Sequence, residues 1–427
     1  MKLRIKIWQF IIAICTVVFI LRVSEIFYSI ELLLKYLKLF FTDVSLAAGQ
    51  LNFSLLDNFF STALIILIPF YIYFKKNQGG ILNKELNFTA AALLLLLTFF
   101  VFAPIVSGTN PDFERDLSVT KLLPPFSKVK ILHLAEERKT SSDQLSQFLE
   151  LKNKVVKRSY NENIIFVDSV QNGNVVTYFQ RGRAFHLPAA KVKYAEGKPF
   201  VTEKIFLLGT DELGRDIFSR LVYGARVSLF VGLGAVMITM VLGLALGFLA
   251  GFFGGWVDSS LSRFTDMLLA FPMIFLVILI LALFGNSLVS VIVVLGFSGW
   301  MSLFKIVRGE VIAMKDKEYF VTAKMIGLSK YKLLTKEVLP VITASVVVNL
   351  VFQYGNVILA EAALSFLGLG TGGSYPSWGQ MIETGQSYLT SAWWMIFFPG
   401  ITLFITLFAA NNFGREINTY FNPRIKN

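Results

Sequence analysis

Residues 318–340 read EYFVTAKMIGLSKYKLLTKEVLP, a lysine-rich stretch that carries one glycine, ends in Leu-Pro and lies between two of the most apolar segments of the chain. EYFVTAKMIG reads as a helix with Phe320, Ala323, Met325 and Ile326 as its apolar positions, and Gly327 can take the left-handed conformation that ends a helix. LSKYKLLTKEV offers a second helix, with Ser329 as its N-cap and Leu333, Leu334 and Val338 on one side. Pro340 lacks an amide and carries a ring, so a break is expected before the next apolar segment. The preceding FKIVRGEVIAMKDK can carry a helix out of the membrane. The stretch is therefore expected to be a helix, turn and helix lying across a membrane face, with apolar side chains offered to a partner.

The rest of the chain supports that setting. Of its 427 residues, 55% are hydrophobic, with a mean hydropathy of +0.63, against about 45–50% apolar residues in soluble domains. The chain reads as a membrane protein. Its 40 Lys and Arg against 28 Asp and Glu give a net charge of +12. Such an excess can signal nucleic acid, but in an apolar chain it marks cytoplasmic loops, and no nucleic-acid partner is expected. Cys15, the only cysteine, sits in an apolar run, which excludes a disulfide framework, a thiolate metal cluster and a cysteine redox pair. His133 and His186, the only histidines, cannot make a helical HExxH zinc site, and no metal site is expected.

Runs near the ~20 residues needed to cross a bilayer occur at about 7–25, 57–75, 88–107, 228–252, 262–284, 287–306, 338–366 and 393–412. The first follows MKLRIK and resembles a signal peptide, but no convincing small-x-small site follows, so a retained anchor is expected. With both termini cytoplasmic, Lys2, Arg4, Lys6, Lys75, Lys76, Lys84, Arg263, the lysines of 315–336, Arg415, Arg424 and Lys426 all fall inside, while the short outer loops near 285–287 and 367–392 carry no Lys or Arg. Asp266 and Glu361 lie near helix ends, so no proton relay is evident. No internal repeat points to a transporter built from duplicated halves.

Residues 108–205 are charged, mixed in sign and free of any spanning run, as expected of an extracytoplasmic insertion. Around Asn172-Gly173, two β-rich runs suggest a tight hairpin. Leu145, Phe148, Leu149 and Val155 have helical spacing, so a small α+β module is expected, a packed loop being the alternative for one hairpin and one helix.

The spacing in 318–340 resembles the coupling loop of ABC importer permeases, whose pattern is Glu-Ala-Ala, three residues, Gly, then a hydrophobic residue and Leu-Pro. Ala323, Gly327, Leu339 and Pro340 match, whereas Val321 stands in place of Glu and Thr322 in place of the first Ala. A second stretch, LLGTDELGRDIFSRLVYGARVSL (207–229), resembles the signature before the second core helix of dipeptide and oligopeptide importer permeases, in the subunit type that pairs with a different permease. It contains Gly209, Thr210, Asp211, Gly214, Arg215, Asp216, Arg220, Gly224 and Arg226. Physically, Gly209 and Gly214 allow turns, and Asp211, Arg215 and Asp216 can pair with one another. From Asp216 onward, Ile217, Phe218, Leu221 and Val222 oppose Ser219, Arg220 and Arg226, as in a helix lying at the membrane surface. Trp256, Asp258, Arg263, Asp266 and Pro272 also stand where the family has them, as do EAALSFLGLG (361–370) and YPSWGQMI; the tail FGREINTYFNPR matches only at Gly414 and Pro423-Arg424.

The resemblance covers about 88–107 and 205–427 and implies an all-α polytopic membrane protein with the type I ABC importer transmembrane fold. About eight helices are expected, six of them core, with a small α+β insertion. The expected organisation is 1–86 with two extra helices, 87–107 as the first core helix, 108–205 as the insertion, and 206–427 as the permease core. The partners implied are a second homologous permease, two ABC ATPase subunits, an extracytoplasmic substrate-binding protein and the lipid of a bacterial inner membrane. No GxxxxGK[ST] occurs, so ATP and Mg are expected on the ATPase subunits, with no catalytic residue and no cofactor on this chain. Glu361, Ser365 and Trp378 are candidates for the pathway, although an internal hydrogen bond also suits Glu361, and Trp378, Trp393 and Trp394 suit an interfacial aromatic belt. Relatives of peptide permeases also import nickel chelates and oligosaccharides. A membrane sensor or scaffold using the 108–205 module is a further alternative.

Overall fold

A computed structural model describes residues 5–76, 80–135, 144–157, 163–173, 175–329, 332–372 and 376–421. Lys2, Arg4, Lys330, Arg424, Lys426, Tyr375 and the Pro423-Arg424 match lie outside them. The chain divides into two compact units, 1–226 with 384–399, and 227–383 with 400–427. Among the described residues, six helices are long and apolar enough to cross a membrane, or up to eight if each of two sharply bent pairs is one span.

In the first unit, α1 (Ile7–Leu21), α4 (Phe53–Lys75) and α5 (Phe88–Val106) pack side by side. Ile65, Phe102 and Ile105 form the apolar contact with Val18 and Ile68 against it, joined by Ile26 from the helix that follows α1. The run expected over 7–25 stops at Leu21, because the chain turns by 82° at Arg22 into α2 (Val23–Thr42). α3 (Val44–Gln50) then leads to α4, with Asp43 and Asn52 as side-chain N-caps.

The described residues of 108–206 contain the short α6 (Leu117–Thr120), α7 (Gln144–Lys152) and eight strands. These are β1 (Ser127–His133), β2 (Ile164–Val167), β3 (Ser169–Gln171), β4 (Val175–Gln180), β5 (Arg183–Pro188), β6 (Tyr194–Ala195), β7 (Lys198–Pro199) and β8 (Val201–Phe206). They form antiparallel sheets in the orders β2-β1-β8, β3-β4-β5 and β6-β7. Alternation on β1 sends Val129 and Ile131 into one core with Phe166 and Phe206, and Leu132 into another with Val176 and Val192.

Two expectations need correction here. Asn172-Gly173 does not make a two-residue turn, since Gln171 pairs with Thr177 and leaves five residues between them; Asn174 lies outside the described residues. The tight hairpin is instead at Arg181-Gly182, where Gln180 faces Arg183 and both turn residues have positive φ (48° and 75°), as a type I′ turn demands. The run 164–171 is split at Asp168, whose carboxylate accepts the Arg181 amide at 2.6 Å, so 164–167 pairs with β1 rather than with β4. Nor does α7 pack on the sheets. Phe148, Leu151 and Val155 share a core with Leu32, Leu39, Ala47 and Leu55, from α2, α3 and α4.

The chain enters the second unit within α8 (Ile217–Phe253), and α9 (Gly255–Leu269), α10 (Met273–Phe284), α11 (Leu288–Lys315) and α12 (Glu318–Met325) follow. After these come α13 (Leu339–Phe366), α14 (Trp378–Gln386) and α15 (Trp394–Phe421). The single helix expected over 262–284 is two, bent by 84°. Pro272 fixes its own φ and disfavours helical geometry at Phe271, so α10 starts afresh. α8 and α11 run together closely. A Cβ placed on Gly243, Gly247 or Gly251 would lie 2.7 Å from Leu303, Val307 or Val311, respectively. This small-residue ladder at every fourth position lets two backbones approach where lipid offers no hydrophobic drive.

Candidate functional site

α12 is a two-turn helix whose two sides differ. Phe320 and Ala323 are buried with Val311, Met314, Leu333, Val338 and Ile342, which fixes α12 to the end of α11 and the start of α13. Val321, Met325 and Ile326 point outward, the last two 83% and 75% exposed. The four apolar positions read from sequence therefore divide into two that anchor the helix and two that present an apolar surface. Thr322, also exposed, donates its hydroxyl to the Glu318 carbonyl at 2.8 Å.

Gly327 has φ +82°, and the amide of Leu328 returns to the Ala323 carbonyl at 3.2 Å, closing the helix end. No atom lies within 4 Å of a Cβ built there, so the position is constrained by its backbone angle and not by space. Beyond it, the amide of Lys332 donates to Ser329 Oγ at 3.4 Å, while Tyr331 lies outside the described residues. Leu333–Val338 is a π-helical stretch that runs directly into α13, where Leu339 keeps helical angles (φ −56°, ψ −43°). The break expected at Pro340 is therefore absent. Its missing amide falls in the first turn of α13, where no intrahelical partner is needed, and the wider preceding turn admits the ring.

The 207–229 signature builds the start of α8. Arg215 pairs with Asp211 at 2.7 Å and Glu212 at 3.1 Å, and Arg220 reaches Asp112 at 3.0 Å and Asp211 at 3.7 Å. Asp216, expected to join these pairs, caps the helix instead, accepting from Ser219 Oγ at 2.6 Å and the Ser219 amide at 3.2 Å. Burial pushes the Glu212 carboxyl upward, with the neighbouring Asp211 charge adding to it and Arg215 opposing it. Burial also pushes Lys204 down to about 8, against the opposing pull of Asp216.

A Cβ on Gly209 would lie 2.4 Å from the Leu123 carbonyl, and one on Gly214 would lie 2.2 Å from Thr120 Oγ1, so both turns are closed in by neighbouring chain. The carbonyl of Thr210 accepts Trp394 Nε1 at 3.1 Å. The surface-lying helix expected from Asp216 is not separate. α8 is continuous to Phe253, and Ser219, Arg220 and Gly224 are as buried as Ile217 and Leu221, because both faces meet protein.

Arg226 forms a bidentate pair with Asp57 of α4 and donates to the carbonyls of Phe100 (2.6 Å) and Val101 (3.0 Å) in α5. Sequence reading missed this pair because Asp57 lies outside the family pattern; an acidic residue at the head of an apolar run was the available signal.

Glu361 is fully buried. Ser365 donates to it at 2.8 Å and Ser228 at 3.1 Å, and Ser228 Oγ accepts the Trp378 amide at 3.3 Å. The three pathway candidates thus form one internal knot joining α8, α13 and α14. Internal hydrogen bonding accounts for Glu361, as buried carboxylates require. Trp378 and Trp394 are buried as well, so only the half-exposed Trp393 suits an aromatic belt. Further along, Arg308 pairs with Asp258 and Lys305 with Asp266 (2.9 Å), holding α9 along α11. Among the described residues, no group of three or more His, Cys, Asp or Glu could hold a metal ion.

Residues 243–427 match the family model for the binding-protein-dependent transport system inner membrane component. The dipeptide transport system permease protein of Bacillus subtilis is 38% identical over 219 residues, 51% of this chain and 68% of that protein. The di/tripeptide permease of Pseudomonas aeruginosa is 35% identical over 222 residues, 52% of this chain and 73% of that protein. The oligopeptide permease of Bacillus subtilis is 35% identical over 218 residues, 51% and 72% of the two chains. With the multi-helix fold and the helix turn at 318–340, these similarities show that the chain belongs to the inner-membrane permease components of binding-protein-dependent ABC transport systems.

Proposed function

We propose that this chain is one of two permease subunits of an ATP-driven importer of the peptide class. It would form half of the translocation path and borrow its energy from two separate ATPase subunits. ATP and Mg would bind those subunits, and an extracytoplasmic protein would deliver the substrate. The observation that carries the reading is the two-sided α12, fastened by Phe320 and Ala323 and leaving Val321, Met325 and Ile326 exposed beyond a chain that carries no phosphate-binding loop of its own. A motor seated on that surface moves α11 and α13 with it, since the three share one core. Closure of the ATPases on ATP would then rock the helices between inward- and outward-open states. Val321 and Thr322, where the family pattern has Glu and Ala, make that contact apolar and hydroxylic rather than charged.

Peptide cargo is favoured because the relatives above carry dipeptide, di/tripeptide and oligopeptide in their names. The segment 108–205 lies on the side proposed for the binding protein and offers it a docking surface. The test is to tag the carboxyl end, extract the chain gently from native membranes and identify its companions by mass spectrometry. A second multi-helix permease with two Walker-motif proteins is expected. Recovery without any ATPase, repeated under crosslinking, would overturn the reading in favour of a sensor or scaffold.

A further inference from the structure

Helix α2 has three faces, one more than a helix on a soluble surface needs. Ile26, Ser29, Leu32 and Leu39 are buried against the rest of the unit. Val23, Phe27, Ile30, Leu34, Leu37 and Phe41 recur at alternating steps of four and three, which places them on one line along the helix. Of these, Phe27, Leu34 and Phe41 are 64%, 61% and 83% exposed, while Ile30, at the edge of the line, packs against the Ile26 and Ile65 core. One position further on, about 100° around the helix, runs a polar line of Ser24, Glu31, Lys35, Lys38 and Thr42, in which Lys35 and Glu31 pair at 3.0 Å; Tyr28 on the same line packs on the core shared with α7.

The surroundings of α2 fix what the apolar line meets. Arg22, at the end of α1, donates to the carbonyl of Val106, the last residue of α5, at 3.1 Å, so the two helices end level with each other. From that level α2 departs at 82° to α1, along the plane where the helices end rather than across it. α3 and the cap at Asn52 then lead into α4, so both ends of the segment are tied to helices of apolar composition. α4 is itself apolar and exposed near its start, with Phe53 82% and Phe60 64% exposed.

We infer that α2 lies in the interfacial layer of the membrane at the level where α1 and α5 end, with the line from Val23 to Phe41 sunk into the acyl boundary and Glu31, Lys35 and Lys38 among the headgroups. α7, packed on the buried side of α2, is then held at that surface, which ties the 108–206 segment to the bilayer. This holds whatever the transported cargo.

The test uses the full chain with Cys15→Ser and single substitutions Phe27→Cys, Leu34→Cys, Phe41→Cys, Glu31→Cys and Lys38→Cys. Each is nitroxide-labelled and reconstituted in vesicles of phosphatidylethanolamine and phosphatidylglycerol. Collision with oxygen is expected to exceed collision with a water-soluble nickel chelate several-fold at 27, 34 and 41, and the order is expected to reverse at 31 and 38. Should one stripe variant fail to accumulate, Leu37→Cys reads the same line. Nickel access at the stripe equal to that at 31 and 38 would place α2 in water. Protection of the stripe from both reagents would mean that a protein covers it. Either result overturns the inference.

Discussion

Asp57 and Arg226 are four-fifths buried, and each is the other's only charged partner among the ion pairs of the described residues. Arg226 also donates from Nε and its second terminal nitrogen to two α5 carbonyls. Removing one carboxylate leaves a guanidinium in a poorly hydrated place, whereas removing both charges leaves no uncompensated charge and costs only the hydrogen bonds to the Phe100 and Val101 carbonyls. Asp57→Leu alone is expected to lower stability by about 3 kcal/mol, read as a drop in melting temperature of the detergent-solubilised protein. The double variant Asp57→Leu with Arg226→Met should lose less than that single change. A double variant as unstable as the sum of the two singles would show that the pair is not coupled. This anchor could not be read from the signature, because Arg226 belongs to the family pattern and its partner does not. The same holds for Asp216, where charge content suggested an ion pair and position at a helix start decided for a cap.

At the scale of elements, the turn at Gly327 joins two pieces of helix that share one buried core, so its angle sets where Met325 and Ile326 point. A β-branched residue at φ +82° costs roughly 1–2 kcal/mol in backbone strain, and asparagine much less. Gly327→Val is therefore expected to reach the membrane at normal levels and to abolish ATP-driven uptake, with Gly327→Asn keeping most of it. Normal uptake by the valine variant would detach α12 from energy coupling.

This turn was legible because one glycine, two anchoring residues and a Leu-Pro suffice to describe it. The helix bends were less so. Hydropathy counts apolar residues along a line and is blind to direction, so 7–25 and 262–284 looked like simple spans although Arg22 and Pro272 turn the chain through more than 80°. The Gly243, Gly247 and Gly251 ladder was present in the sequence, yet its meaning depends on α11 lying opposite. The Arg181-Gly182 hairpin hid for another reason: arginine is an uncommon choice at a positive φ, and Asn172-Gly173 offered the stronger motif.

For the whole molecule, charge and helix polarity together set an expected orientation, taken unit by unit. α8 and α11 run parallel, since Gly243, Gly247 and Gly251 meet Leu303, Val307 and Val311 in the same order. The ends of both helices therefore lie on one side, which is also the side of α12, Lys315, Lys317 and Lys324. The opposite ends of α11 and α13 open into 285–287 and 367–377, which contain no Lys or Arg. In the first unit, Lys75 and Lys76 close α4 at the level where α1 begins, because the Ile7 amide donates to the Lys84 carbonyl and Asn83 Nδ2 to the Lys76 carbonyl. On the charge rule, each unit by itself is expected to keep its lysine-rich turns, those after Lys75 and after Lys315, in the cytoplasm, and 108–206 is expected on the other face. A fluorescent reporter inserted after residue 78 or fused to the carboxyl end should glow, since it folds only in the cytoplasm. Alkaline phosphatase inserted after residue 139 should be active, since it needs export. Activity of the phosphatase at 78 would invert the first unit and remove the proposed docking surface, and a dark carboxyl-terminal fusion would put α12 beyond the reach of any cytoplasmic motor.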